Sequence, residues 1–191
     1  MSADGRRRAI VVVPYDPIWV DTFERVRERV WPVLSDLALT VEHVGSTAVP
    51  GLWAKPIVDV DVVVSDEAVI ATAIPRLASI GYAHRRDVGV LPGREAFEAP
   101  RDSSLPAHHL YVCPTDSLPL RNHLALRDRL RADPDAARAY GDLKRRLAET
   151  HPHDIDAYVS GKTELVLRLL REAGFAPAEL AAIEQVNRAP S

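Results

Sequence analysis

The sequence predicts an α/β (α+β) core over about residues 10–116 and a helical portion over about 117–191, after a disordered stretch at 1–9. Three observations carry this. Strand-like and helix-like patterns alternate through the first half, whereas from Ser117 onward every apolar pattern has the helical period. The run Ile57–Val64 carries valine at 58, 60 and 62 and aspartate at 59 and 61, so one face of that strand is apolar and the other acidic. A length of 191 residues, 47 % apolar and 27 % charged, suits one domain with an ordinary core.

Taken in order, Ile10–Pro14 is a short apolar run closed by proline, a strand or extended arm. Asp16-Pro17 starts a helix, since aspartate caps and proline suits the first helical position. Its apolar face is Trp19, Phe23, Val26, Val30, Val33 and Leu37, and Pro32 is expected to kink or split it. Leu39–Val44 is the first sheet strand, Thr47–Pro56 a connector and Ile57–Val64 the second strand. Ser65 or Asp66 caps a helix bearing Val69, Ile70, Ala73, Ile74 and Leu77, with Pro75 marking a kink or a late first turn and Gly81 the end. Tyr82–Arg86 is a short strand, Val88–Ser104 a long loop, and His108–Cys113 a strand stopped by Pro114. Beyond it, Pro119, Asp133-Pro134, Asp154 and Pro177 open four helices. Their apolar positions are Leu120, Leu124, Leu126 and Leu130; Ala137, Tyr140, Leu143 and Leu147; Tyr158, Leu165, Leu169 and Leu170; and Leu180 and Ile183. Gly161 is a candidate interruption of the third.

Composition excludes several classes. A net charge of −3 sets up no field to recruit a long nucleic acid. The single cysteine, Cys113, excludes an intramolecular disulfide and a zinc ribbon. No stretch reaches the ~18 apolar residues of a membrane span, and Ile10–Val13 is too short for a signal-peptide core, so a cytoplasmic location is expected.

The acidic strand organises the chemistry. Carboxylates two apart on a strand share a face, and Asp59 and Asp61 there suit a hard divalent cation such as Mg²⁺, which takes oxygen ligands and shares them with phosphates. About a dozen residues earlier, Gly45-Ser46 ends the preceding strand. Glycine lets backbone approach a ligand closely, and a serine hydroxyl with nearby N–H groups holds phosphate. This order, Gly-Ser, spacer, Asp-Val-Asp-Val, resembles the signature of polymerase-β-type nucleotidyltransferases. The longer strings Val41-Glu42-His43-Val44-Gly45-Ser46-Thr47-Ala48-Val49-Pro50-Gly51-Leu52 and Ala54-Lys55-Pro56-Ile57-Val58-Asp59-Val60-Asp61 resemble the GrpB family. These are small bacterial proteins of that fold, which also occur as the C-terminal domain of some dephospho-CoA kinases. The resemblance implies a small mixed sheet with helices on one side and helices following it.

Under that resemblance Asp59 and Asp61 hold Mg²⁺, Gly45 and Ser46 form a phosphate turn, and Tyr158 and Lys162, four apart on a helix, hold a nucleotide's base and phosphates. Lys55 is read as a surface lysine, a charge offsetting the aspartates, or a phosphate contact. His43 is a base or a hydrogen-bonded core histidine. The superfamily normally adds a third carboxylate on a later strand, but the available strand offers His109, Tyr111 and Cys113 on its site-facing side. The family pattern there is His-Leu-His-Val, so His109 matches, as auxiliary ligand or base, and Tyr111 replaces a histidine. Glu95, Glu98 and Asp102 are alternative acids. Arg85, Arg86, Arg94 and Arg101 flank the long loop as candidates for an anionic second substrate. Arg127, Asp128, Leu130 and Arg131 match a family-like string, while Lys144-Arg145-Arg146 reads as a solvated face. Gly161-Lys162-Thr163 is no P-loop, because Asp156 stands where glycine is required. The functional expectation is an Mg²⁺-dependent transferase using a nucleoside triphosphate and a small-molecule acceptor. The alternative is a non-catalytic nucleotide-binding, accessory or folding domain with a protein partner.

Overall fold

The computed structural model describes residues 9–85, 91–100 and 104–188. Its elements follow in the order α1 (Ile18–Leu34), β1 (Ala38–Val44), β2 (Val58–Val64), α2 (Glu67–Ser79), β3 (Ala83–Arg85), β4 (Glu95–Glu98), β5 (His108–Pro114), α3 (Leu118–Ala132), α4 (Pro134–Thr150), α5 (Ile155–Glu172) and α6 (Pro177–Arg188). The strands form one mixed sheet in the order β1-β2-β5-β4-β3. Among the described residues only the β2–β5 pair is parallel, with Asp59 opposite His109 and Asp61 opposite Tyr111.

Two apolar layers sandwich the sheet. On one side α1 and α2 lay Trp19, Phe23, Val26, Val30, Leu34, Ile70, Ala73 and Leu77 against Val58, Val60, Val62, Leu110 and Val112. The opposite face of β2 turns Asp59, Asp61 and Val63 toward the helical half, which has its own core built from α3–α6. The acidic face therefore lies at the seam between sheet and helices, where a carboxylate is costly unless it is paired.

The caps behave as their chemistry dictates. Asp16 accepts from the Ile18 N–H, Asp66 from Ala68, Asp133 from Asp135 and Ala136, and Asp154 from Ala157. Residues 10–12 belong to no regular element, and Val13 bridges to Ala54. Pro32 and Pro75 lie inside unbroken helices, and the carbonyls they leave without a partner belong to Glu28 and Ala71, both exposed. Two expectations are corrected. The Val88–Ser104 segment is not all loop, since 95–98 form β4, paired to both β3 and β5. Gly161 does not interrupt α5; an added Cβ there would lie 2.4 Å from Leu147 Cδ2, so the glycine lets α4 and α5 approach. Residues 1–8, Arg86, Arg101 and Asp102 lie outside the described residues. No helix among the described residues is long and apolar enough to cross a membrane.

Candidate functional site

The turn between β1 and β2 comes closest to the acidic strand. Gly45 has φ +70°, and a Cβ built on it would sit 2.3 Å from Asp59 Oδ2, so only glycine fits. A 3-10 turn, Ser46–Ala48, follows. The helical half clamps this turn with cations. Arg127 of α3 donates to the His43 carbonyl at 3.1 Å and pairs with Glu42 at 2.8 Å. Arg131, one helical turn on, donates twice to the Ala48 carbonyl, at 2.9 and 2.7 Å. Lys144 of α4 donates to Ser46 Oγ at 2.8 Å.

Both aspartates are oriented by histidines. His109 Nδ1 donates to Asp59 Oδ1 at 2.8 Å, and His123 Nδ1 donates to Asp61 Oδ2 at 2.8 Å. Arg94 Nη1 donates to His123 Nε2 at 3.0 Å. Guanidinium cannot accept, so Nε2 carries no proton and the neutral His123 ring turns its N–H to Asp61. Asp61 is fully buried, and its Oδ1 has no hydrogen-bond partner. Burial pushes the Asp59 carboxyl up, but the hydrogen bond from His109 and the nearby charge of Arg94 hold it below the usual carboxylate range. Burial, then the charge of Asp59, raises the Tyr111 hydroxyl to about 12; Arg94 stacks on that ring at 4.2 Å.

Three lysines gather opposite. Lys162 lies 4.7 Å above the Tyr158 ring and Lys55 6.0 Å from it, while Lys144 lies over Tyr140 at 4.6 Å. Burial and the charge on Lys55 lower Lys162 to about 8, with Asp59 opposing. Lys144, 2 % exposed, is held well below the ordinary lysine range by burial and by Lys162. Burial also lowers Lys55. Among the described residues none of the three pairs with a carboxylate within salt-bridge distance, so the cluster is short of negative charge. Two adjoining cavities, of about 220 and 140 Å³, share Ser46, Asp59, Val159 and Lys162 as walls. The larger continues between the helices past Asn122, Leu126, Tyr140 and Asn187.

The structure thus brings together Gly45, Ser46, Lys55, Asp59, Asp61, His109, Tyr158 and Lys162. His43 is a core histidine, stacked on Phe23 and bonded to Thr47 Oγ1 at 3.0 Å. Glu95 turns to the other side of the sheet and bonds His84, and Glu98 is exposed at the end of β4. Among the described residues no group of three or more His, Cys, Asp or Glu is arranged to hold a metal ion. Sequence reasoning missed His123, although His123, Arg127 and Arg131 form an i, i+4, i+8 polar stripe on α3. It also placed Lys144 on a solvated face, which is corrected: Ala137, Tyr140, Lys144 and Leu147 follow the helical spacing, and Lys144 is the polar break in that stripe.

The chain and its fold have known counterparts. UPF0157 protein BH1888 of Halalkalibacterium halodurans is 35 % identical over 165 residues, covering 86 % of this chain and 83 % of its own. A dephospho-CoA kinase of Mycolicibacterium paratuberculosis is 29 % identical over 178 residues, covering 82 % of this chain but only 44 % of the kinase. Among solved structures, the conserved protein GrpB from Enterococcus faecalis superposes with a TM-score of 0.73 at 32 % identity, covering 92 % of this chain and 98 % of that one. The GLD-2/RNP-8 complex matches at a TM-score of 0.54 and 14 % identity, over 88 % of this chain and 64 % of that one. The Cid1 poly(U) polymerase with MgGTP bound matches at 0.50 and 13 %, over 72 % and 44 %. These last two share the nucleotidyltransferase-like fold alone. The model of the family described as GrpB protein matches residues 9–172, and the chain belongs to the GrpB family.

Proposed function

We propose that this protein binds an Mg²⁺–nucleoside triphosphate at the seam between sheet and helices and transfers its nucleotidyl group to a hydroxyl of a small-molecule acceptor. The observation that carries the reading is the acid pair itself. Asp61 keeps one buried oxygen without a partner, and Asp59 Oδ2 abuts the Gly45 turn and shares a cavity wall with Ser46, Lys55, Lys144 and Lys162. A buried orphan acceptor costs about 1–3 kcal/mol, which a ligand would recover. Two carboxylates fit Mg²⁺ in the manner in which one or two protein carboxylates are completed by substrate phosphates. Bound there, the ion would neutralise charge on the phosphates and lower the pKa of an attacking hydroxyl.

The chain's own residues supply the rest. Ser46, Lys55 and Lys162 hold the phosphates, and the α3–α5 cavity takes the nucleoside. With Nδ1–H given to Asp59, the neutral His109 ring keeps Nε2 as an acceptor for the hydroxyl proton, in place of a third carboxylate. The Cid1 neighbour holding MgGTP supports the reading at the level of fold.

A second reading is favoured by the kinase relative, of which this chain spans 44 %, and by the lack, among the described residues, of a third carboxylate beside the acid pair. In it the domain is an accessory one that recognises a nucleotide or a protein partner without catalysis. Calorimetric titration with each of the four nucleoside triphosphates and Mg²⁺ separates the two. The transferase reading expects binding by the native chain that is lost in Asp59→Asn/Asp61→Asn. A folded native protein that binds none of the four overturns it in favour of the accessory reading.

A further inference from the structure

We propose that Ser46 and Lys144 form a nucleophile–base pair that accepts a phosphoryl group onto the serine. The donor's identity, a nucleoside triphosphate, rests on the reading above; the pair itself does not. Lys144 Nζ lies 2.8 Å from Ser46 Oγ, a separation that serves a hydrogen bond in either direction once the amine is neutral. The amine is 2 % exposed and lies over the Tyr140 ring, and no described carboxylate pairs with it. Burial and the neighbouring Lys162 favour its uncharged form. Ser46, by contrast, lines both cavities. A serine open to a cleft and backed by a desolvated amine is the arrangement in which lysine acts as base toward a hydroxyl. Holding phosphate alone calls for an ammonium on the cavity wall, which the half-buried Lys55 and Lys162 supply.

In the step, Ser46 Oγ bonds the terminal phosphorus. The bond from that phosphorus to the bridging oxygen breaks, and the diphosphate leaves with the electron pair. The hydroxyl proton passes to Lys144 Nζ. The products are phosphoserine, nucleoside diphosphate and an ammonium beside the new phosphate. Lys55, Lys144 and Lys162 would hold that phosphate, which would occupy the place of an incoming triphosphate and close the site.

The test uses the full chain and a fluorophosphonate, an electrophile that needs no nucleotide and loses fluoride when serine attacks. Peptide mapping should locate the adduct on Ser46 and find none there in Ser46→Ala. Lys144→Met and Lys144→Arg should each slow labelling by about 100-fold or more, the usual scale of general-base assistance. Arginine keeps the charge and cannot serve as base, so it separates the two roles; circular dichroism checks that both variants fold. An unlabelled Ser46 in the native chain, or Lys144→Arg labelling at the native rate, overturns the pair. A parallel incubation with Mg²⁺ and ATP should yield phosphoserine at 46, and nucleotide binding by calorimetry without phosphoserine overturns the phosphoryl step. A fluorophosphonate adduct without any nucleotide binding supports the pair and defeats only the nucleotide reading.

Discussion

At the residue scale, Gly45 and His43 make opposite demands on the same strand end. Gly45 must have no side chain, because a Cβ would strike Asp59 Oδ2 and the backbone is left-handed there. Gly45→Ala is expected to cost about 1–3 kcal/mol in urea unfolding and to abolish Mg²⁺–nucleotide binding by calorimetry, since Asp59 must leave its bond to His109. His43 points the other way, into the core. Burial, and then the charge of Arg131, lowers it from 6.5 to about 4. Between those values the unfolded chain holds a proton that the folded one refuses, so stability falls as pH drops from 6.5 toward 4. Thermal melts across that window should show a shallower loss in His43→Gln than in the native protein.

At the scale of elements, the helical half is what shapes the Gly-Ser turn. Arg127, Arg131 and Lys144 reach from α3 and α4 to His43, Ala48 and Ser46, so the Gly45-Ser46 turn is held by helices whose residues lie more than eighty positions away. Arg131→Met removes both bonds to the Ala48 carbonyl. It should lower stability by about 1–3 kcal/mol and weaken nucleotide binding, with the fold retained by circular dichroism. The α4–α5 contact rests on Gly161. Alanine there gains up to about 1 kcal/mol of helix propensity but forces Leu147 aside, an overpacking cost of about 1–3 kcal/mol. Gly161→Ala should therefore be mildly destabilising, and the added substitution Leu147→Ala should recover part of the loss; urea unfolding of the two variants measures it.

For the whole molecule, the balance is between an apolar sandwich and a seam of uncompensated charge. Below about pH 8 Lys162 is an ammonium, and above it the folded protein loses that proton while the unfolded chain keeps it up to 10.5. The ligand-free protein accordingly gains stability from this group as pH rises through that window, while its attraction for a polyanion declines. Inorganic tripolyphosphate should raise the melting temperature more at pH 7 than at pH 9, because ligand stabilisation follows its affinity. Lys162→Met should shrink both increments and flatten the difference.

The sequence by itself determined the order of elements other than β4, the aspartate caps at Asp16, Asp133 and Asp154, and the split between a mixed core and a helical half. Those features depend on local period and on side chains meeting backbone a few residues away. It also determined that Asp59 and Asp61 share a face, since strand period decides that. Tertiary structure alone decided what meets that face. His123 reaches Asp61 from 62 residues away and takes Arg94 on its other ring nitrogen, and Lys144 reaches Ser46 across 98. A charge on a helix has the same local signal whether it faces water or a partner. Strand β4 was hidden for the same reason: four residues in a loop-like segment carry little period, and only pairing with β3 and β5 makes them a strand.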